Sequence, residues 1–112
     1  KSFVTMCKRE FDLVVSNPPY IRTSDLKNLD EDIKNFEPLI ALDGGNDGLD
    51  VIRKVIYKAK YILKINGILA LEIGYEQYKK VSKILKINNF KVEKNIKDNN
   101  ENIRCVISRL LK

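Results

Sequence analysis

The stretch FDLVVSNPPYIRT, residues 11–23, decides the fold because an apolar, β-branched run ends abruptly in a rigid polar corner. FDLVVS is typical of a buried strand. The two prolines cannot donate backbone N–H groups and fix φ at about −65°, so the strand must end there. Ser16 and Asn17 are pushed towards extended conformations. We therefore expect the corner to hold Asn17 and Tyr20 stiffly at the end of a strand.

The rest of the chain alternates between predicted helices and strands. Apolar spacing from Leu49 onward predicts a helix, with Asp47 as its N-terminal cap and Asn66-Gly67 at its end. The polar segment over residues 21–48 is predicted to be a functional loop. The further predicted elements are a buried strand at ILALEIG (68–74), a helix from Tyr78 to about Asn88-Asn89, a half-buried strand at FKVEKNI (90–96) and a strand at IRCVISRL (103–110).

The order of these elements indicates an α/β sheet. The last two strands are joined by the turn KDNNEN, which is too short for a crossover helix, so they must be antiparallel.

Composition excludes several classes of protein. The chain has 112 residues, of which 44% are hydrophobic and 32% charged, which indicates one soluble domain. No apolar run approaches the roughly 20 residues that span a bilayer. Cys7 and Cys105 lie at opposite ends and histidine is absent, so we predict no metal site, no Ser/His/Asp or Cys/His catalysis, and reduced thiols in a cytoplasmic protein.

The net charge of +6 is unevenly distributed, with −4 in residues 1–50 and +10 in residues 51–112. A basic half is compatible with binding to RNA or to a ribosome-associated partner. Solvated lysines on amphipathic helices are the alternative interpretation.

The Asn-Pro-Pro-Tyr segment is either a simple turn or a ligand-binding corner, and its position favours the corner, because open α/β sheets bind ligands at the carboxyl ends of their strands. It resembles motif IV, (D/N)PP(Y/F/W), of methyltransferases that use S-adenosylmethionine to methylate a planar nitrogen in an amide or an adenine. The chemistry that this resemblance implies explains the residue types. An amide nitrogen is a poor nucleophile because its lone pair is delocalised, so the enzyme must hold the NH₂ with acceptors and aim it. Asn17 offers a side-chain oxygen and amide, Pro18 a free carbonyl and Tyr20 a ring.

Later segments of the chain indicate which family of methyltransferases it resembles. FEPLIALDGGNDGLDVIRKVI, residues 36–56, has a Glu-Pro-x-x-Ala-Leu segment and then GGxDGL leading into a helix. With NPPYI before it and ILKINGILALEIG and ENIRCVISRL after it, the chain resembles the PrmC/HemK family of protein glutamine methyltransferases. The resemblance implies the C-terminal half of a class I, Rossmann-like methyltransferase sheet. It also implies S-adenosylmethionine as cofactor and the GGQ glutamine of peptide chain release factors as substrate.

Carried over residue by residue, the resemblance implies a substrate-binding corner made of Asn17, Pro18, Pro19 and Tyr20. Asn17, Pro18 and Tyr20 would be the catalytic residues. Asn17 would contact the cofactor as well, and Phe3 would match an aromatic residue near the adenine of the cofactor.

Other family positions are matched by Glu37, Glu72 and Arg104. For the two glutamates, direct substrate contact and a purely structural role both stay open. GGNDG lacks a preceding strand and a following Lys-Ser/Thr, so we interpret it as a tight turn before the helix and not as a phosphate loop.

The family's glycine-rich cofactor loop has no counterpart here, since no G-x-G-x-x-G occurs in the 112 residues. Residues 1–112 are therefore predicted to be a partial methyltransferase domain, inactive on its own. One alternative is a nucleic-acid adenine methyltransferase, because the same corner accommodates the amine of adenine. Another is a non-catalytic remnant that binds a partner through its basic half.

Overall fold

In the computed structural model, which describes residues 9–18 and 48–112, the described chain forms a four-stranded mixed sheet and two helices. The elements are β1 (Phe11–Ser16), α1 (Asp50–Ile62), β2 (Leu63–Glu72), α2 (Tyr78–Ile87), β3 (Phe90–Lys97) and β4 (Ile103–Leu110). The strand order is β1-β2-β4-β3, with β1 parallel to β2 and with β4 antiparallel to both β2 and β3. The predicted α/β class and the antiparallel final pair are confirmed.

The helices lie against one face of the sheet because each has a single apolar stripe. Both helices contact the sheet and each other. Every second residue of a strand faces the helices. On this side of the sheet, the register aligns Val14, Leu69 and Ser108 in one row across β1, β2 and β4. The buried core of this layer is Leu49, Ile52, Ile56, Ala59, Leu63, Leu69, Leu71, Ile73, Val81, Leu85, Phe90, Val106 and Leu110.

The other face of the sheet is open within the described residues. Phe11, Leu13 and Val15 on β1 are 51%, 55% and 72% exposed, and only Val14 of that strand packs against the core. The prediction that FDLVVS is a buried strand is therefore wrong for the described part of the chain. The physical reason is that one face of β1 is covered by helix and the other is not.

Helix α1 ends earlier than the sequence predicts. It stops at Ile62, and β2 starts at Leu63 and runs through Asn66 and Gly67. Asn66 has a φ of 71°, and the pairing with β1 jumps between Leu63 and Ile68, so the Asn-Gly pair makes a bulge inside a strand. The predicted helix end at this pair was wrong because the same left-handed residue serves a helix end and a bulge equally well.

Among the described residues, none caps the start of α1 with its side chain. Leu49 precedes the helix and makes no such hydrogen bond, and Asp50 in the first turn pairs with Arg53 at 3.1 Å. The predicted cap, Asp47, lies outside the described residues. At the other end, the Arg9 guanidinium donates to the carbonyl oxygens of Lys60 and Leu63 at 2.9 and 3.1 Å, which ties the start of β1 to the end of α1.

The boundaries of the last three elements agree with the sequence prediction. Helix α2 ends where the Asn88 side chain donates to the Ile84 carbonyl and Asn89 has a φ of 68°. In the β3–β4 turn, the Asp98 carboxylate accepts the backbone N–H groups of Asn100 and Asn102 at 2.8 and 3.1 Å. Within residues 9–18 and 48–112, neither helix is long and apolar enough to cross a membrane.

Candidate active site

The described residues of the predicted site, Asn17 and Pro18, lie where β1 and β2 end side by side. The two strands are parallel, and Ser16 pairs with Leu71, so the residues that follow them leave the same edge of the sheet. Asn17 is exposed and Pro18 is buried. The proline ring restricts the backbone at this point, and the asparagine that precedes it is accessible to solvent.

The end of β2 is fastened to β4 by a pair of reciprocal hydrogen bonds. Ile73 donates its N–H to the Arg104 carbonyl at 2.9 Å, and the Arg104 Nε donates to the Ile73 carbonyl at 3.1 Å. The same guanidinium lies 3.7 Å from the Asp98 carboxylate. The arginine recognised in the sequence thus braces the strand end beside Asn17.

A turn made by residues 74–77 follows β2 at the same edge. The Gly74 N–H donates to the side-chain oxygen of Gln77 at 2.8 Å, and the Gln77 N–H donates to the Gly74 carbonyl at 3.2 Å. The Gln77 amide nitrogen donates to the Gly48 carbonyl at 3.2 Å. Sequence reasoning missed Gln77, because nothing in the local pattern of a polar residue before a helix indicates a hydrogen bond to a residue 29 positions away.

Glu72 and Cys105 face each other across β2 and β4 on the open face. Burial of the Cys105 thiol raises its pKa, and the negative charge of Glu72 raises it further. The thiol therefore stays protonated at neutral pH, which makes it a poor nucleophile. Among residues 9–18 and 48–112, no cluster of three His, Cys, Asp or Glu side chains is arranged to hold a metal ion.

The structure brings together only part of the predicted site. Asn17 and Pro18 lie at the strand end, as expected from the sequence. Phe3, Pro19 and Tyr20, together with the family position Glu37, lie outside the described residues.

This fold and this site define a class of protein. A parallel pair of strands, an antiparallel final hairpin that inserts its last strand next to β2, and an Asn-Pro corner at the carboxyl ends together indicate a class I methyltransferase sheet. Residues 1–100 match the family model described as Eco57I restriction-modification methylase. The chain belongs to this methylase family.

Individual relatives agree with the resemblance found in the sequence. The chain is 48% identical over 81 residues to a release factor glutamine methyltransferase of Clostridium acetobutylicum, which covers 72% of the chain and 28% of that relative. It is 44% identical over 100 residues to the protein of the same name from Fusobacterium nucleatum, with 89% and 28% covered. The one from Agrobacterium fabrum is 41% identical over 99 residues, with 88% and 34% covered. The chain therefore spans about a third of the length of these curated relatives.

Proposed function

We propose that the protein containing this chain transfers a methyl group from S-adenosylmethionine to the side-chain amide of the GGQ glutamine of peptide chain release factors. The observation that carries the proposal is the exposed Asn17, followed directly by the buried Pro18, at the carboxyl end of β1 in a chain similar to release factor glutamine methyltransferases. Because translation terminates on cytoplasmic ribosomes, we place the protein in the cytoplasm.

Asn17 and Pro18 together offer the two hydrogen-bond acceptors that the reaction needs. The side-chain oxygen of Asn17 accepts a hydrogen bond from the substrate NH₂, and the free carbonyl of Pro18 accepts the second. Two acceptors orient the amide so that its nitrogen points at the methyl carbon. When bound, S-adenosylmethionine supplies that methyl group as an electrophile on a sulfonium. As the bond from the amide nitrogen to the methyl carbon forms, the bond from that carbon to the sulfonium sulfur would break, and the cofactor would leave as the neutral thioether with the bonding electron pair. The nitrogen would then lose one proton to solvent, which leaves a neutral N-methyl amide.

Of the residues proposed to contact the cofactor, only Asn17 lies within the described part of the chain. Asn17 is exposed next to the open face of β1, so its amide is accessible to a ligand lying there. Phe3 and Tyr20 remain proposed contacts to the adenine and to the substrate amide, by resemblance. Pro19 completes the proposed substrate corner.

A second candidate is methylation of adenine in nucleic acid. The description of the matching family names a restriction-modification methylase, and residues 51–112 carry a charge of +10. The exocyclic amine of adenine is also flat and conjugated, so the same two acceptors suit it. The identity with release factor glutamine methyltransferases favours the protein substrate.

The test compares wild-type protein with Asn17→Ala in transfer of labelled methyl groups. The substitution removes hydrogen bonds worth about 0.5 to 1.5 kcal/mol each and loosens the attack geometry, so we expect a loss of roughly 10²-fold in kcat/KM. Asn95→Ala is the matched control, because Asn95 is an exposed strand residue on β3, at the opposite edge of the sheet.

Each acceptor is supplied separately: the release factor, its GGQ Gln→Ala variant, and adenine-containing DNA and RNA. Transfer to the release factor but not to its Gln→Ala variant supports the proposal. Transfer to nucleic acid alone supports the second candidate. No transfer to any acceptor would leave a partner-binding remnant as the function, and near-normal activity of Asn17→Ala would refute the role given to the corner.

A further inference from the structure

Gln77 joins two segments that are distant in the sequence but meet at the edge of the sheet where Asn17 lies. Its side-chain oxygen accepts the Gly74 N–H at 2.8 Å, and its side-chain nitrogen donates to the Gly48 carbonyl at 3.2 Å. Both bonds are partly shielded from water. The oxygen of the Gln77 amide thus binds the segment after β2, and its nitrogen binds the segment before α1.

The two glycines have little freedom once these bonds form. Gly48 and Gly74 are both buried, and Gly48 has a φ of 77°, a conformation that other residues rarely adopt. Gly48 directly precedes Leu49, whose carbonyl accepts the Arg53 N–H at 2.8 Å to start α1. The Gln77 bond to Gly48 therefore fixes the beginning of α1 to the end of β2.

The turn that carries Gln77 is strained. Glu76 has a φ of 64°, a left-handed conformation that residues with a Cβ rarely adopt. The hydrogen bonds between Gly74 and Gln77 close this turn from both sides and hold the strained residue in place.

The clamped segments border the corner at Asn17. Ser16 pairs with Leu71, and neighbouring strands lie about 4.8 Å apart, so the residues after Ser16 run alongside those that follow Leu71. A movement of the β2 end would therefore displace the backbone that runs beside Asn17, where the proposed substrate amide binds. Displacement of reacting groups by about 1 Å can lower a rate roughly 10²-fold.

We propose that Gln77 is a positioning residue for methyl transfer. By fixing the end of β2 to the start of α1, it would hold in place the backbone that runs beside Asn17. The inference rests on the proposed function. Gln77 touches neither substrate nor cofactor in this role, and it acts through the two glycines.

The test uses two substitutions of Gln77 in the full-length protein. Gln77→Leu has a similar size and removes both bonds. Gln77→Glu retains the acceptor for the Gly74 N–H, but an ionised carboxylate cannot donate to the Gly48 carbonyl. Asn88→Ala is the control, because it removes one side-chain to backbone bond at the opposite end of α2.

We expect both Gln77 variants to lower kcat about tenfold or more at pH 8, with less change in KM, while Asn88→Ala keeps the wild-type kcat. Near pH 5 part of the carboxyl population is protonated and can donate, since its ordinary pKa is about 4.3. The activity of Gln77→Glu relative to wild type should therefore rise as pH falls, and that of Gln77→Leu should not. Hydrogen exchange of the Gly74 backbone amide should be faster in Gln77→Leu, which lacks the acceptor for this N–H, and should stay slow in Gln77→Glu, which retains it.

The outcomes separate this inference from the proposed function. A wild-type protein that methylates no acceptor overturns the proposed function and this inference with it. An active wild type with an equally active Gln77→Leu overturns this inference alone. A Gln77→Glu variant whose relative activity is the same at both pH values also overturns it, because the bond to Gly48 would then have no effect on the reaction.

Discussion

Replacing Ser108 by alanine should stabilise the protein, although most substitutions at buried positions destabilise. Ser108 lies on β4 in the face covered by the helices and is 0% exposed. Within the described part of the chain, its hydroxyl is buried and has no hydrogen-bond partner. Its neighbours across the sheet are Leu69 and Val92, which offer no side-chain acceptor.

The magnitude follows from two opposing contributions. A buried hydroxyl without a partner costs about 1 to 3 kcal/mol relative to its hydration in the unfolded chain. Alanine removes that cost and leaves a space smaller than a methyl group, which costs less than about 1 kcal/mol. Ser108→Ala should therefore raise the free energy of unfolding by about 1 kcal/mol.

Val106→Ala is the matched control for this experiment. Val106 lies two residues earlier on the same strand, points to the same face and is also 0% exposed. Its truncation removes buried carbon and creates a cavity, so it should lower the free energy of unfolding by about 2 kcal/mol. The two substitutions thus have opposite signs at neighbouring core positions.

Urea unfolding followed by circular dichroism measures both effects. The midpoint should rise for Ser108→Ala and fall for Val106→Ala, with an unchanged dependence on denaturant concentration. A lower midpoint for Ser108→Ala would refute the reasoning, because it would mean that the hydroxyl has a partner in the folded protein.

Three further results are expected. Gly67→Ala should lower the melting temperature, with a cost of about 1–3 kcal/mol, because a Cβ there would lie 2.7 Å from the Lys64 carbonyl oxygen; an unchanged melt would contradict this. The hydrogen bond from Arg109 lowers the pKa of Glu93, so this pair stabilises the fold above the unfolded carboxyl pKa, and its contribution is lost as pH falls through the lower folded pKa. Glu93→Gln should therefore flatten the acid side of the stability profile, and a profile with the wild-type slope would count against the pairing. Because Val15 is 72% exposed on an apolar strand face, the isolated 112-residue chain should self-associate in sedimentation experiments and Val15→Lys should reduce this, whereas a monomeric unaltered chain would contradict the expectation.

The sequence alone determined the features that depend on neighbouring residues. The two prolines after Asn17 end β1 whatever the rest of the chain does, because they remove backbone donors and restrict φ. The short connection between FKVEKNI and IRCVISRL forces an antiparallel pair, and β3 and β4 have this arrangement. The motifs around Asn17 indicated the methyltransferase class before any contact was known.

Only the tertiary structure decided features that depend on which segments meet. Asn66-Gly67 has the local signature of a helix end, and only pairing with β1 makes it a bulge in β2. The apolar residues of FDLVVS do not indicate whether both faces of β1 are covered, and among the described residues one face is not. Gln77 looks like an ordinary polar residue before a helix, and its bond to Gly48 spans 29 positions of the chain. Local patterns carry no information on such distant contacts, because these arise only when packing brings the segments together.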